Sequence, residues 1–262
     1  MKELIKLSRT MSNVLLVLLT MTSGCVDAIG FLALGQVFTA AMTGNTVLFG
    51  LAVVNTHGMS VFGYAVALLG FIVGAAAGAV ILRRIQDRTG WNRTITASLC
   101  VELAALVLFA GIVLAMSNIK AQGAMADVLL FLLAFAMGVQ GITARRIGVN
   151  GVTTTVITST LTGLVETLVW KFEDSRLSTS SSSHKRDPVF GKKGNATSIA
   201  SIVMWIAVIV FYGIGAAICG VFVHHWYLQA IWLPIAIVCI VIATSGAYEI
   251  RSAMERKTEI SM

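Results

Sequence analysis

Six apolar stretches constrain the fold of this chain more than any other feature. About 20 residues of helix cross the ~30 Å hydrocarbon core of a bilayer. Runs of this length with few charges are typical of transmembrane helices rather than of helices in water-soluble domains. The stretches are Val14–Leu34, Val61–Leu82, Thr94–Met116, Ala126–Ala144, Ser198–Val223 and Leu228–Tyr248. We therefore predict an all-α integral membrane protein.

The composition supports a lipid environment. Apolar residues make up 57% of the chain and charged residues only 12%, whereas soluble domains carry roughly 25% charged residues. The net charge of +7 does not indicate nucleic acid binding, because the basic residues lie in short loops beside the apolar spans. The expected partners are the lipid bilayer and a small molecule or ion, and a homo-oligomer stays open.

Two shorter apolar segments are interrupted by polar residues. Val37–Val54 contains Thr43–Thr46 at its middle, and Gly151–Trp170 is rich in threonine. If both segments enter and leave on one side, every basic residue of the 19 except Lys120 faces the cytoplasm; if both cross, six face outside. The positive-inside rule favours the first arrangement. We predict about six transmembrane helices plus two re-entrant segments, with both termini cytoplasmic.

An internal repeat relates two parts of the sequence. Residues 71–80 (FIVGAAAGAV) match residues 212–221 (YGIGAAICGV) at an offset of 141. Further matches join Gly24 to Gly138 and the Thr43–Thr46 run to residues 158–161. Chance similarity between glycine-rich helices is the alternative explanation.

The repeat divides the chain into residues 1–124 and 125–262. Each half holds three crossings, so the second half inserts upside down. The second half also contains a serine-rich stretch at 175–196 that we expect to be a flexible cytoplasmic loop. Inverted repeats with interrupted segments at corresponding positions predict a transporter-like site near the bilayer midplane.

Asp27 is the first candidate site residue. A carboxylate near the bilayer centre costs about 2.5–3.5 kcal/mol on insertion scales, so it should face the protein interior and have a partner. It could couple transport to protons or cations, or accept a hydrogen bond from substrate. The alternative is a structural cap for the interrupted backbone near Thr43–Thr46.

The other candidates are polar residues at the two interruptions and on neighbouring helices. Hydroxyl and amide groups supply donors and acceptors without a buried charge. Glu102 would either complete an acidic pair with Asp27 or lie near the cytoplasmic mouth. The full set of substrate- or ion-binding candidates is Asp27, Thr43, Gly44, Asn45, Gln140, Thr158, Ser159 and Glu102.

Gly70, Gly74 and Gly78 share one helix face and predict close contact with another helix, from the other half or a second subunit.

The sequence contains no HExxH, GxSxG, Walker or dinucleotide motif. We expect no enzyme activity, no metal and no cofactor.

Several motifs together resemble the YoaK family, a bacterial membrane family of unknown function. They are Gly24–Ala28 (GCVDA), Thr43–Asn45 (TGN), Gly138–Gln140 (GVQ) and Thr154–Thr158 (TTVIT). Gly141 and Ser159 depart from the family pattern, where Asn and Gly are usual. The resemblance covers nearly the whole chain and implies the bacterial cytoplasmic membrane. It implies no substrate.

These observations leave three functional hypotheses. The first is a small secondary transporter whose two halves rock about a midplane site. The second is a membrane scaffold or assembly protein in which the re-entrant segments only pack. The third is a membrane enzyme, for which Asp27 and Glu102 are the only available pair of catalytic carboxylates. We predict the transporter.

Overall fold

The computed structural model describes residues 2–54, 60–83, 93–116, 121–147, 161–162, 165, 169 and 199–260. No strand occurs in these ranges. The elements with described bounds are α1 (Lys2–Ala33), α2 (Met42–Val53), α3 (Val61–Arg83), α4 (Arg93–Ala115), α5 (Ala124–Ile147), α6 (Ile199–Trp226), a 3-10 turn (Tyr227–Ile231) and α7 (Trp232–Ile260).

Within these ranges, five helical stretches are long and apolar enough to cross a membrane. They are Met11–Ala33, Val61–Arg83, Thr94–Ala115, Ala124–Ile147 and Ile202–Ala247. The last is 46 residues long and includes most of α6, the 3-10 turn and the apolar part of α7. It therefore covers most of two of the six predicted spans, and the described residues of all six are helical except the terminal Leu34 and Met116. The prediction of an all-α, multi-pass membrane protein is confirmed.

Helix α3 places small residues inward and large residues outward. Gly70, Gly74 and Gly78 are buried, whereas Ile72 and Val80 are more than half exposed, at 61% and 67%. A soluble protein would bury the large side chains. In lipid, large apolar side chains are well solvated outside, and small residues allow the helix backbones to approach closely.

The glycine row of α3 contacts α5. A Cβ on Gly70 would lie 2.8 Å from the Phe131 carbonyl oxygen, and one on Gly74 would overlap the Phe135 carbonyl. A Cβ on Gly78 would lie 3.3 Å from the Cα of Val139. Later residues of α3 contact later residues of α5, so the two helices run parallel. The predicted close contact is confirmed, and its partner is α5 of the same chain.

A second close pair joins α1 to α6. A Cβ on Gly24 would overlap the Tyr212 carbonyl, and one on Gly215 would overlap the Met21 carbonyl. Further along both helices, the Tyr227 hydroxyl donates to the Ala33 carbonyl oxygen at 2.8 Å. This pair is also parallel, and it brings together residues almost 200 positions apart in the chain.

Helix α4 packs on α5 and on α7. The Ser98 and Thr143 hydroxyl oxygens lie 2.7 Å apart, which joins the first turns of α4 to the last turns of α5. The beginning of one helix meets the end of the other, so α4 and α5 are antiparallel. Phe109 and Leu133 lie in the main apolar core together with residues of α1, α6 and α7.

The chain leaves helical geometry between α1 and α2, at residues 34–41. Gly35 and Gln36 have φ angles of 92° and 62°. The Phe31 and Phe38 rings stack across this turn with centroids 4.9 Å apart. The segment then passes close to α1, where a Cβ on Gly30 would lie 2.6 Å from the Val37 carbonyl oxygen.

The position of this irregular segment differs from the sequence interpretation. We expected the interruption at Thr43, Gly44 and Asn45, but these residues belong to the first turn of α2. The irregular backbone precedes them because its exposed N–H groups find partners outside the helix, as described below. Helix α2 has 12 residues, which at 1.5 Å per residue cannot cross the ~30 Å hydrocarbon core.

Candidate functional site

Asp27 accepts hydrogen bonds from the irregular segment that precedes α2. Its Oδ1 accepts the backbone N–H groups of Thr39 and Ala40, both at 2.6 Å, and the Thr39 hydroxyl at 3.2 Å. Its Oδ2 accepts the Ala41 N–H at 3.1 Å and the Tyr212 hydroxyl. The side chain is 4% exposed, so hydrogen bonds from this chain replace its hydration.

This geometry makes Asp27 an anchor for the segment that leads into α2. The three N–H groups that it accepts belong to residues 39–41, before the first helical residue, Met42. The Met42 and Gly44 N–H groups bond to the Ala40 and Ala41 carbonyl oxygens instead. A carboxylate from α1 therefore supplies partners to the irregular backbone and places negative charge near the N-terminus of α2, where it is favourable. Several charge-assisted hydrogen bonds offset the cost of burying the carboxylate.

Asn45 of α2 also binds this segment, through the backbone of Phe38. Its Oδ1 accepts the Phe38 N–H at 2.9 Å, and its Nδ2 donates to the Phe38 carbonyl. Nδ2 also lies 3.7 Å from the Met42 sulfur. Both ends of the buried amide are therefore used by the chain itself.

Thr43 and Gly44 do not join the polar groups around Asp27. Thr43 is exposed on α2. A Cβ on Gly44 would lie 3.2 Å from the Phe38 ring, so glycine makes room for that ring. Of the three residues predicted at this interruption, only Asn45 reaches the buried polar cluster.

Sequence reasoning missed Tyr212 and Thr39 as partners of Asp27. Tyr212 did appear in the repeat, aligned with Phe71. The available signal was that the sequence repeat aligns Tyr212, which has a hydroxyl, with Phe71, which has none. Nothing in the sequence distinguishes Thr39 from the other threonines of the segment.

Gln140 lies on α5 and binds α1. Its Nε2 donates to the Leu19 carbonyl at 2.7 Å and to the Ser23 hydroxyl oxygen at 2.8 Å. Its Oε1 is buried and has no hydrogen-bond partner among the described residues. Ser23 is one turn before Asp27 on α1, so Gln140 and Asp27 occupy successive layers of the helix bundle.

Glu102 is fully buried on α4, and both of its carboxylate oxygens lack a hydrogen-bond partner in the described part of the chain. It is one turn beyond Ser98, which contacts Thr143 of α5. No hydrogen bond joins Glu102 to Asp27, whose own partners are all named above. The predicted acidic pair therefore does not form a direct contact.

Two predicted site residues, Thr158 and Ser159, lie outside the described residues, as does the loop at 175–196. Within the described ranges, no group of three or more His, Cys, Asp or Glu side chains is placed to hold a metal ion. Asp27 and Asn45 thus hold one buried segment, at residues 38–41, whereas Gln140 and Glu102 are buried separately on α5 and α4.

Comparisons with known proteins agree with the membrane architecture. The family described as "Protein of unknown function (DUF1275)" matches residues 15–244. The chain is 32% identical over 226 residues to the UPF0700 transmembrane protein YoaK of Bacillus subtilis (strain 168), covering 86% of this chain and 90% of that protein. No solved structure matches the chain. The chain therefore belongs to the YoaK family of multi-pass transmembrane proteins.

Proposed function

We propose that this protein is a small secondary transporter, in which two inverted halves surround a midplane site for a small polar or cationic solute. The observation that carries the proposal is the correspondence between the two glycine crossings. Repeats of opposite orientation around interrupted helices are the architecture in which alternating access is known to arise.

The first correspondence is between the contacts of Gly24 and Gly138. Gly24 of α1 packs on the backbone of Tyr212 in α6, and Gly138 of α5 packs on the backbone of Phe71 in α3. Gly138 follows Gly24 by 114 positions, and Tyr212 follows Phe71 by 141. The same two offsets are the ones found in the sequence repeat.

The contacts made by the glycines of α6 and α3 are related by the same two sequence offsets. Gly215 of α6 packs on Met21 of α1, and Gly74 of α3 packs on Phe135 of α5. Gly215 follows Gly74 by 141 positions, and Phe135 follows Met21 by 114. Composition alone would produce glycine-rich helices but has no reason to produce matched partners. These contacts support an inverted repeat with α1 equivalent to α5 and α3 equivalent to α6.

Helix α2 supports a re-entrant segment in the first half. It is apolar, too short to cross the bilayer, and fastened at its beginning to Asp27. By the repeat, Gly151–Trp170 would form its counterpart from the opposite side. We propose the bacterial cytoplasmic membrane as the location, with both chain termini in the cytoplasm, because this arrangement satisfies the positive-inside rule.

Asp27 contacts both halves in this scheme. It accepts hydrogen bonds from the segment before α2 and from Tyr212 of α6. Rocking of one half against the other would break one set of these bonds. Protonation would remove charge from the acceptor and weaken both sets. This is how Asp27 would couple movement to a proton gradient.

Sided cysteine labelling tests the architecture. Native cysteines are replaced, single cysteines are placed at Asn45 or Ser159, and an impermeant thiol reagent is applied to whole cells and to inverted vesicles. Labelling of position 45 from outside only and of position 159 from inside only is expected. Labelling of position 45 from the cytoplasm alone would refute the orientation and the inverted repeat together.

Flux measurements test the transport itself. Proteoliposomes containing a pH-sensitive dye are challenged with a panel of small amines, quaternary ammonium ions, sugars and neutral amino acids. A solute-dependent pH change that is lost in Asp27→Asn is expected. A solute flux that Asp27→Asn leaves unchanged would remove Asp27 from the mechanism.

A membrane scaffold is the second candidate. The observation that favours it is that Asp27 and Asn45 already bind the chain's own backbone, as a packing device would. A scaffold predicts a stable co-purifying membrane protein, no flux and no labelling of position 45 from either side. We propose no enzymatic activity for either case.

A further inference from the structure

The register of α4 and α5 places three oxygen acceptors at one level of the helix bundle. Ser98 of α4 contacts Thr143 of α5 at 2.7 Å. Because α4 and α5 are antiparallel, the residue one turn after Ser98 lies at the same level as the residue one turn before Thr143. These two residues are Glu102 and Gln140, and both are fully buried. The two carboxylate oxygens and the Gln140 Oε1 are the unpartnered acceptors.

The hydroxyl groups beside this layer direct their protons elsewhere. Thr143 donates to the Val139 carbonyl at 2.8 Å, so the hydrogen between Ser98 and Thr143 comes from Ser98. Ser23 donates to the Leu19 carbonyl at 3.3 Å. The hydrogens of Gln140 Nε2 are directed at α1. Among the described residues, this layer therefore offers acceptors and no donor to Glu102.

No described side chain forms a hydrogen bond with Glu102. Tyr64 is level with the beginning of α5, far from the Gln140 layer, because α3 and α5 run parallel. On α1, Asp27 lies one turn beyond the Ser23 that binds Gln140. The remaining groups on α3, α5, the 3-10 turn and α7 are Arg83, Asp127, Arg145, Arg146, Tyr227, Cys239 and, past the apolar part of α7, Tyr248, Glu249, Arg251, Glu255, Arg256, Lys257 and Glu259.

An isolated ionised carboxylate in an apolar interior is costly enough that it takes up a proton or a cation instead. We propose that Glu102 and Gln140 form an exchangeable proton site, in which protonated Glu102 donates its O–H to the Gln140 Oε1. One proton supplies the single donor that the acceptors lack. An alkali metal ion prefers more oxygen ligands than these three.

The site gives the proposed transporter a second carboxylate, with a role different from that of Asp27. Protonation of Asp27 would weaken its hydrogen bonds to α6 and to the segment before α2, whereas Glu102 has no donor among the described residues and can gain or lose a proton without breaking a hydrogen bond. This use of the site rests on the proposed function. The presence of the exchangeable proton rests only on the packing of α4 and α5.

Carbodiimide labelling tests the site without any transport assay. Dicyclohexylcarbodiimide reacts with protonated carboxyl groups in apolar surroundings, and mass spectrometry of the purified protein locates the adduct. We expect one adduct at Glu102, formed more slowly as the pH is raised from mildly acidic to mildly alkaline. The adduct should be absent in Glu102→Gln and retained in Asp27→Asn.

Three outcomes would overturn the proposal. The first is no adduct at Glu102 in folded protein, and the second is a labelling rate that does not change with pH. The third is protection by sodium ions at constant pH, which would identify a metal cation in place of the proton. Labelling as expected together with absent flux would refute the transporter and leave the site standing; flux without labelling would do the reverse.

Thermal unfolding of Glu102→Gln separates this site from a structural role. Glutamine has nearly the same shape and carries no charge, so the variant should fold and unfold at the wild-type temperature or above. A clear loss of stability would mean that the carboxylate makes contacts the fold depends on. That result would also overturn the proposal.

Discussion

The Tyr212 hydroxyl donates a hydrogen bond to the Asp27 carboxylate, joining residues that are 185 positions apart in the sequence. Gly24, one turn before Asp27, packs on the backbone of the same tyrosine. The close approach of α1 and α6 is thus what brings the hydroxyl within reach of the carboxylate. This contact connects α1 and α6 at the residue that also holds the segment before α2.

The first prediction concerns this hydrogen bond. Tyr212→Phe removes only the hydroxyl and should lower the free energy of unfolding by about 1.5–3 kcal/mol, the usual contribution of a hydrogen bond to a charged group. Thermal unfolding in detergent measures the change. In an Asp27→Asn background the same substitution should cost much less, since the acceptor charge is already gone. Equal costs in both backgrounds would show that the two side chains are not coupled.

The second prediction concerns the segment before α2. Asp27→Asn should release the amide groups of Thr39, Ala40 and Ala41, because an amide side chain has one acceptor oxygen and no charge. Hydrogen exchange at these amides should rise about tenfold or more, since a charged hydrogen bond contributes ~1.5–3 kcal/mol. Asp127→Asn, in the first turn of α5, is the matched control and should leave this exchange unchanged. Unaltered exchange in Asp27→Asn would show that Asp27 does not anchor this segment.

The third prediction concerns the helix crossings. Gly215→Ala should destabilise the protein by at least about 1–3 kcal/mol, the range found for overpacked cores, because the added methyl group meets the Met21 backbone. Gly213→Ala on the same helix is the control, since no atom lies within 4 Å of its added Cβ. Helix propensity favours alanine at both positions. Similar unfolding temperatures for the two variants would show that α1 and α6 do not cross at Gly215.

The fourth prediction concerns Asn45. Asn45→Ala leaves the buried N–H and carbonyl of Phe38 without partners and should cost about 1–3 kcal/mol. Thr46→Ala is the control, because the Thr46 hydroxyl is exposed and bonds only to the preceding turn of α2. Proteolysis near residues 34–41 should increase in Asn45→Ala and stay at the wild-type level in Thr46→Ala. Equal protection in both variants would contradict the fastening role of Asn45.

The sequence located the spans well and the interruption less well. Span positions follow from the thickness of hydrocarbon, which acts on each segment separately. The interruption before α2 was expected at Thr43–Asn45 but lies at residues 34–41. The irregular backbone is stabilised there by Asp27 of another helix, and no local pattern at Thr43–Asn45 reports that partner.

In the candidate site, the sequence identified the buried polar residues but not their hydrogen-bond partners. Asp27, Asn45, Gln140 and Glu102 were identified because buried polar groups are rare in apolar spans, and all four are buried. Their partners were not identified. Tyr212 for Asp27, and Ser23 for Gln140, depend on how each helix is rotated about its axis. Hydrophobic patterning fixes that rotation poorly when lipid and core are equally apolar.

The sequence by itself determined that this chain is a multi-pass helical membrane protein, approximately where its spans lie, and that the glycine face of α3 meets another helix. These properties follow from transfer of each segment into lipid and from the small volume of glycine. Only the tertiary structure decided that α3 meets α5 and α1 meets α6, that Asp27 has donors from α6 and from the segment before α2, and that Glu102 has no donor among the described residues. Those outcomes depend on register and rotation between helices, for which contacts distant in the chain supply the energy.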